Sequence, residues 1–321
     1  MKKKINLLLS IVLSLSCLFG LSACNRQEEV VITTTIYPVE YIIHELTDKV
    51  TVYNLSNDEI IERASMKSDY KSILDQTSLF VYIDELEPYL ELHEKDIQGY
   101  DFDIINLTTL SAIDNFARYT VNTVNGINVV RESAYYEGSE FELVDTYRKD
   151  PFLWINPITM VSMAFTIKEW LQSRFPQDAL ILENNFKDLQ ASLVRMDVEY
   201  QALKSLDVKF VSVLPVFGNW QKSYHVQVYP LCLSRFGVLP NEQQLAVIEK
   251  SIRDNEVKYI AYDSSLPEDM QALYERVKED LDLETIDLSG LLRLSAADIE
   301  NNKDYLTIMY NNLIAIEDVF K

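Results

Sequence analysis

Seven apolar side chains, Leu182, Phe186, Leu189, Leu193, Met196, Tyr200 and Leu203, follow one another at intervals of 4, 3, 4, 3, 4 and 3 residues. That spacing puts all seven on one stripe of a helix, while Glu183, Asp188, Arg195 and Glu199 fall off it. It predicts a single long helix over residues 177–203, in the middle of a 321-residue chain. Such a seam must be covered. Strand and helix patterns resume on both sides, so the chain's own domains are expected to cover it rather than a coiled-coil partner.

Before that helix, buried β-rich runs at 30–37, 50–55, 79–83 and 102–107 alternate with helical patterns at 39–46, 67–76 and 86–93. After it, strand candidates at 208–214, 225–229, 257–262 and 283–286 alternate with helices at 242–254 and 268–281, and a closing helix spans 303–320. Alternation of this kind implies parallel strands with crossover helices. The expected architecture is α/β: two lobes, each a mainly parallel sheet with flanking helices, at 30–176 and 206–321, joined by one linking helix at 177–205. Residues 108–150 lack a clear period and read as a surface loop or hairpin. Asn156 followed by Pro157 supplies an N-cap and a first helical residue, so a helix is expected from there to about Ser173.

Lys2, Lys3 and Lys4 precede an apolar run too short for a span, which ends in Leu21-Ser22-Ala23-Cys24. This order of features reads as a lipoprotein signal peptide over 1–23, with Cys24 as the lipid-bearing first residue and 24–29 as a tether. The protein is then exported and held by its lipid on the outer face of the cytoplasmic membrane. With Cys17 removed and Cys24 lipidated, Cys232 remains as a lone, buried thiol and no internal disulfide can form. Cleavage takes away three lysines, leaving 26 Lys and Arg against 50 Asp and Glu, or −24. An acidic surface of this size argues against nucleic acid as a partner. No Gly-x-Ser-x-Gly, phosphate-cradling glycine loop, His-Glu-x-x-His or paired cysteine motif is present, so a binding protein is expected and not an enzyme.

Several segments carry a resemblance when taken in order. They are Thr34-Thr35-Ile36-Tyr37-Pro38, Leu79-Phe80-Val81-Tyr82 with Glu85-Leu86-Glu87-Pro88-Tyr89, Asp150-Pro151-Phe152-Leu153-Trp154-Ile155-Asn156-Pro157, Phe217-Gly218, and Asp304 to Met309 with Asn312-Leu313. Together they resemble the zinc- and manganese-binding solute receptors of ABC importers, the ZnuA/TroA-like family, over nearly the whole chain after residue 30. The resemblance implies a ligand site between two lobes, delivery to an ABC permease with its ATPase, and a monomer. It also implies a zinc or manganese ion held by three histidines and one carboxylate. Those positions fall on Ile61, Phe152, Leu214 and Asp263, so only Asp263 can ligate a metal and the ligand set is not retained. His44, His93 and His225 lie away from these positions.

Three functions therefore stand as expectations. The chain is a receptor of a metal-type uptake system with replaced histidines, whose donors could be drawn only from neighbours such as Asp58, Glu59, Glu62 and Asp263. Alternatively, its cleft has been repurposed for a small organic ligand. Or it is a ligand-free surface scaffold or adhesin-like protein.

Overall fold

The computed structural model describes residues 29–57, 59–110 and 113–321. The expected signal peptide, Cys24 and Asp58 lie outside the described residues. The fold below is that of the unit Val31–Lys321.

The first half builds β1 (Val31–Thr34), α1 (Tyr37–Leu46), β2 (Thr51–Asn54), α2 (Tyr70–Leu74), β3 (Leu79–Tyr82), α3 (Pro88–Ile97) and β4 (Asp103–Asn106). The four strands form one parallel sheet in the order β2-β1-β3-β4. Next come the antiparallel hairpin β5 (Arg118–Val124) and β6 (Ile127–Ser133), then α4 (Pro157–Arg174) and the long helix α5 (Ala179–Tyr200). The second half holds β7 (Lys209–Ser212), α6 (Gly218–Tyr224), β8 (Gln227–Pro230), α7 (Glu242–Asp254), β9 (Tyr259–Tyr262), α8 (Glu268–Leu281), β10 (Glu284–Asp287), α9 (Ala296–Glu300) and α10 (Tyr305–Phe320). Its strands form a parallel sheet in the order β10-β9-β7-β8. Read from the other edge this is 2-1-3-4 again, so both halves use one topology.

All seven residues of the central stripe are buried. The long helix is shorter than its pattern because 3-10 turns at 176–178 and 201–205 take over its ends. α5 packs against α1, α4 and α10, and the Tyr200 hydroxyl donates to the Met309 carbonyl at 2.6 Å. Lys168 is buried between α4 and α5, where its ammonium meets Glu183 at 2.9 Å and Glu169 at 3.0 Å. Asn156 caps α4 as expected, accepting from the amides of Ile158 and Thr159.

Three local expectations need correction. The helix expected over 86–93 starts instead at Pro88, a first-turn residue without an N–H to lose, and continues to Ile97. The strand expected from His225 starts at Gln227, because His225 sits at φ 61° and ends α6, a helix whose pattern is too short to read from sequence. The segment 108–150 does contain a hairpin, but Tyr135, Tyr136 and Tyr147 around it are buried. Their hydroxyl-bearing rings fold inward, with Tyr136 donating to the Pro230 carbonyl at 2.9 Å. Among the described residues, no helix is long and apolar enough to cross a membrane.

Candidate ligand-binding cleft

In an open parallel sheet, ligands bind beyond the carboxyl ends of the strands, where neighbouring connections leave in opposite directions. In these two sheets the relevant points lie between β1 and β3 and between β7 and β9. Loops from both meet, and the Tyr37 amide after β1 donates to the Leu292 carbonyl after β10 at 3.3 Å.

Leu214 follows β7 and Asp263 follows β9, and the two line one cavity of about 20 Å³, room for little more than a single water. The Asp263 carboxylate is already engaged. Oδ1 accepts from the Ser265 amide at 2.8 Å and its hydroxyl at 2.6 Å, and Oδ2 accepts from the Gly290 amide at 3.0 Å. A Cβ at position 290 would come within 3.2 Å of the Val216 side chain, so a larger residue there would crowd this loop. Ile61 lies in a 3-10 turn and lines an adjacent cavity of about 100 Å³, which shares Ser265 and Leu292 with the first.

Phe152 is fully buried and lines neither cavity. Its ring meets Tyr147 and Trp154 edge-on, each at 5.6 Å between centroids. The Trp154 indole N–H donates to the Gly290 carbonyl at 2.8 Å, so Phe152 stands one aromatic layer behind the loop that holds Asp263. The structure therefore brings Leu214 and Asp263 together, sets Ile61 beside them, and places Phe152 in the core behind.

Zinc takes about four nitrogen, sulfur or oxygen donors. Three of these four side chains are hydrocarbon, and the fourth is held by three protein donors. Among the described residues, no group of three or more His, Cys, Asp and Glu side chains is placed to hold a metal ion. Of the neighbouring donors, Glu59 borders the Ile61 cavity, whereas Glu62 is buried close to Gly237 and lines neither cavity. His44 faces Glu40 and His93 faces Asp96, each at 3.7 Å, so these histidines serve helix surfaces. These residues do not fit a zinc site of the family's kind.

Three acids, Glu62, Glu87 and Asp150, are buried, which the sequence did not show. Asp150 is buried, and its Oδ1 accepts from the Phe152 amide at 3.1 Å. A Cβ at position 218 would strike its Oδ2, which explains the glycine of Phe217-Gly218. Glu62 has no hydrogen-bond partner on either oxygen, and Glu87 has one on Oε1 only, the Thr35 hydroxyl. Burial pushes Asp150 and Glu62 up to about 7 and Glu87 to about 8. The Tyr147 hydroxyl, also without a partner, is raised well above its ordinary value by burial and then by the charges of these three acids. The available signal was an acid inside an apolar run, as in Ile60-Ile61-Glu62 and Leu86-Glu87-Pro88.

Two arginines link the two halves. Arg63 donates through Nε and Nη2 to the Gly237 carbonyl at 3.0 and 2.6 Å and through Nη1 to Asp269 at 2.9 Å. Arg235 reaches back to Glu91 at 2.5 Å, and to Asp145 at 3.2 Å. Replacing both (Arg63→Ala, Arg235→Ala) is expected to raise the radius of gyration in small-angle scattering. Superimposable profiles would mean that the apolar seam alone holds the halves together.

Comparison with known proteins agrees with this layout. A family model described as zinc-uptake complex component A, periplasmic (ZnuA), matches residues 32–319. The zinc-binding lipoprotein AdcA of Streptococcus pneumoniae is 22% identical over 98% of this chain. The chain spans about 60% of the length of such curated relatives. Among solved structures, the periplasmic zinc-binding protein TroA of Treponema pallidum superposes with a TM-score of 0.71 at 14% identity, covering 90% of this chain and 98% of that one. The laminin-binding protein Lmb of Streptococcus agalactiae, described as having adhesin and metal-transporting activity, gives 0.71 at 16% identity, covering 91% of this chain and 100% of that one.

Proposed function

Because the chain belongs to the ZnuA family of zinc-uptake components, we propose that it is the extracytoplasmic binding lipoprotein of a metal-type ABC uptake system, anchored through Cys24, and that its cleft has given up the family's histidine ligands. Its lobes would be 30–176 and 206–321, with α5 between them, and its partners an ABC permease and ATPase. It would act as a monomeric binding protein and not as an enzyme. The observation that carries the changed cleft is the state of Asp263: the one carboxylate at a family ligand position is tied to Ser265 and Gly290, beside Leu214 in a cavity of about 20 Å³.

Titration of chelator-stripped protein with Zn²⁺ and Mn²⁺ by calorimetry tests this. The expected result is no saturable heat at micromolar protein. Nanomolar zinc affinity would show that the site reorganises to recruit donors and would overturn the loss of ligands. The small cavity and the arginine fastenings also favour a second reading, a scaffold whose halves stay closed without cargo. Under that reading, scattering is unchanged by metals or by compounds that co-purify from the host. Ligand-induced compaction would exclude it.

A further inference from the structure

The cavity beside Ile61 lies between the two halves, among the loops after β1, β2, β9 and β10, and its volume of about 100 Å³ exceeds what a single water fills. Two cations line it, one from each half. Arg293 spends one N–H on the Ser265 carbonyl, to which Nη2 donates at 3.2 Å. Lys67 comes from the loop ahead of α2. Among the described residues neither pairs with a carboxylate, whereas Arg63 and Arg235, which link the halves, both do.

The neutral lining groups are also left with donors to spare. The Asn54 side-chain oxygen accepts from the Ser56 amide at 2.9 Å, while its own N–H groups meet no acceptor among the described residues. The Asn57 oxygen is taken by the Glu59 and Ser65 amides at 3.4 and 3.2 Å. Ser56 is buried, and its hydroxyl meets that of Tyr89 at 2.5 Å. Such a pair uses one of its two protons, so with Tyr89 donating, the Ser56 proton is left for an acceptor in the cavity. Among the described lining residues Glu59 is the one carboxylate, and it is exposed. A lining of this kind suits an anion, and an arginine with N–H groups to spare suits a planar carboxylate. Ile36, Ile60 and Ile61, all buried, add an apolar wall.

We propose that this cavity binds a small aliphatic carboxylate, its head between Arg293 and Lys67 and its chain against Ile36, Ile60 and Ile61. Such a ligand presupposes a cleft that has given up its metal donors, the function proposed for this chain. The net negative charge of the protein does not forbid it. Beyond about 8 Å at physiological ionic strength, exposed charges are largely screened, so the local donors decide.

Calorimetric titration of the chelator-stripped, intact protein with butanoate, against n-butanol, n-butylammonium and inorganic phosphate, tests the proposal. Saturable one-site binding of butanoate is expected, with the other three at least tenfold weaker. Arg293→Gln keeps an N–H for the Ser265 carbonyl and removes the charge, and it should weaken butanoate at least tenfold. Should that variant fold poorly, Lys67→Gln, at a partly exposed position, should weaken it at least threefold. Absence of butanoate binding, butanol or phosphate binding as tightly, or unchanged affinity in either folded variant would overturn the proposal. Zinc titration of the same protein separates the two failures. With neither zinc nor butanoate bound, only the carboxylate site falls, whereas nanomolar zinc affinity overturns the loss of metal donors and the carboxylate site with it.

Discussion

Lowering the pH from 8 to 5.5 is expected to raise the thermal unfolding midpoint, the reverse of ordinary acid destabilisation. In the unfolded chain Glu62, Glu87 and Asp150 ionise near 4, whereas in the fold burial holds them at about 7, 8 and 7. Between those limits the native state binds more protons than the unfolded state, so stability falls as pH rises. Their stabilisation is complete below about pH 4 and is lost as the pH passes through 7 to 8. With about 1.4 kcal/mol per pKa unit, the three together amount to on the order of 5 kcal/mol between pH 5.5 and 8. For a chain of this size that is a midpoint shift of roughly 10 °C. Opposing groups act elsewhere or weakly. Carboxylates paired with arginine, such as Glu91, Asp269 and Glu242, are held below their ordinary values and titrate under this window. His225, pushed down by burial, opposes the trend as a single, partly buried group. Circular dichroism melts across this range check the sign, and Glu62→Gln with Asp150→Asn should flatten the curve. A parent midpoint that rises with pH would contradict the buried-acid assignment.

Trp154→Ala should be the most damaging single change near the cleft. The indole is fully buried, meets Phe152 edge-on and donates to the Gly290 carbonyl, and the Trp154 carbonyl accepts from the Tyr305 hydroxyl at 2.6 Å. Truncation leaves a large cavity and frees the carbonyl of the loop whose amide holds Asp263. Loss of a buried tryptophan costs about 3–5 kcal/mol, and the unpaired carbonyl adds about 1 kcal/mol more. Urea denaturation measures this as a lower midpoint. A loss under 1 kcal/mol would mean that the two halves do not rely on this contact. Tyr305→Phe, which removes only one hydroxyl, should cost far less.

Much of this architecture was legible because periodicity is a local property that tertiary contacts here reinforce. The stripe from Leu182 to Leu203 is buried throughout, and Asn156-Pro157 starts a helix as its chemistry requires. What failed depended on partners distant in sequence. α6 is only seven residues long and forms because Trp220 fits under the Ile155 carbonyl, to which it donates at 2.8 Å. The polar-looking Tyr135 is buried because Gln221, from α6, donates to its hydroxyl at 3.0 Å.

The candidate site divides in the same way. That Ile61, Phe152 and Leu214 cannot ligate a metal follows from their side chains alone, whatever surrounds them. That Asp263 is tied to Ser265 and Gly290, and that Phe152 stands a layer behind it, required the loops after β7, β9 and β10 to converge. The acids at 62, 87 and 150 read as ordinary charges until the fold removed them from water. Side-chain identity and periodic pattern, which are properties of neighbouring residues, determined the α/β elements, the central helix and the lack of metal donors on the side chains at 61, 152 and 214. Burial and the pairing of polar groups arise only between segments far apart in the chain, so the tertiary structure alone decided which carboxylates are spent and which are left without a partner.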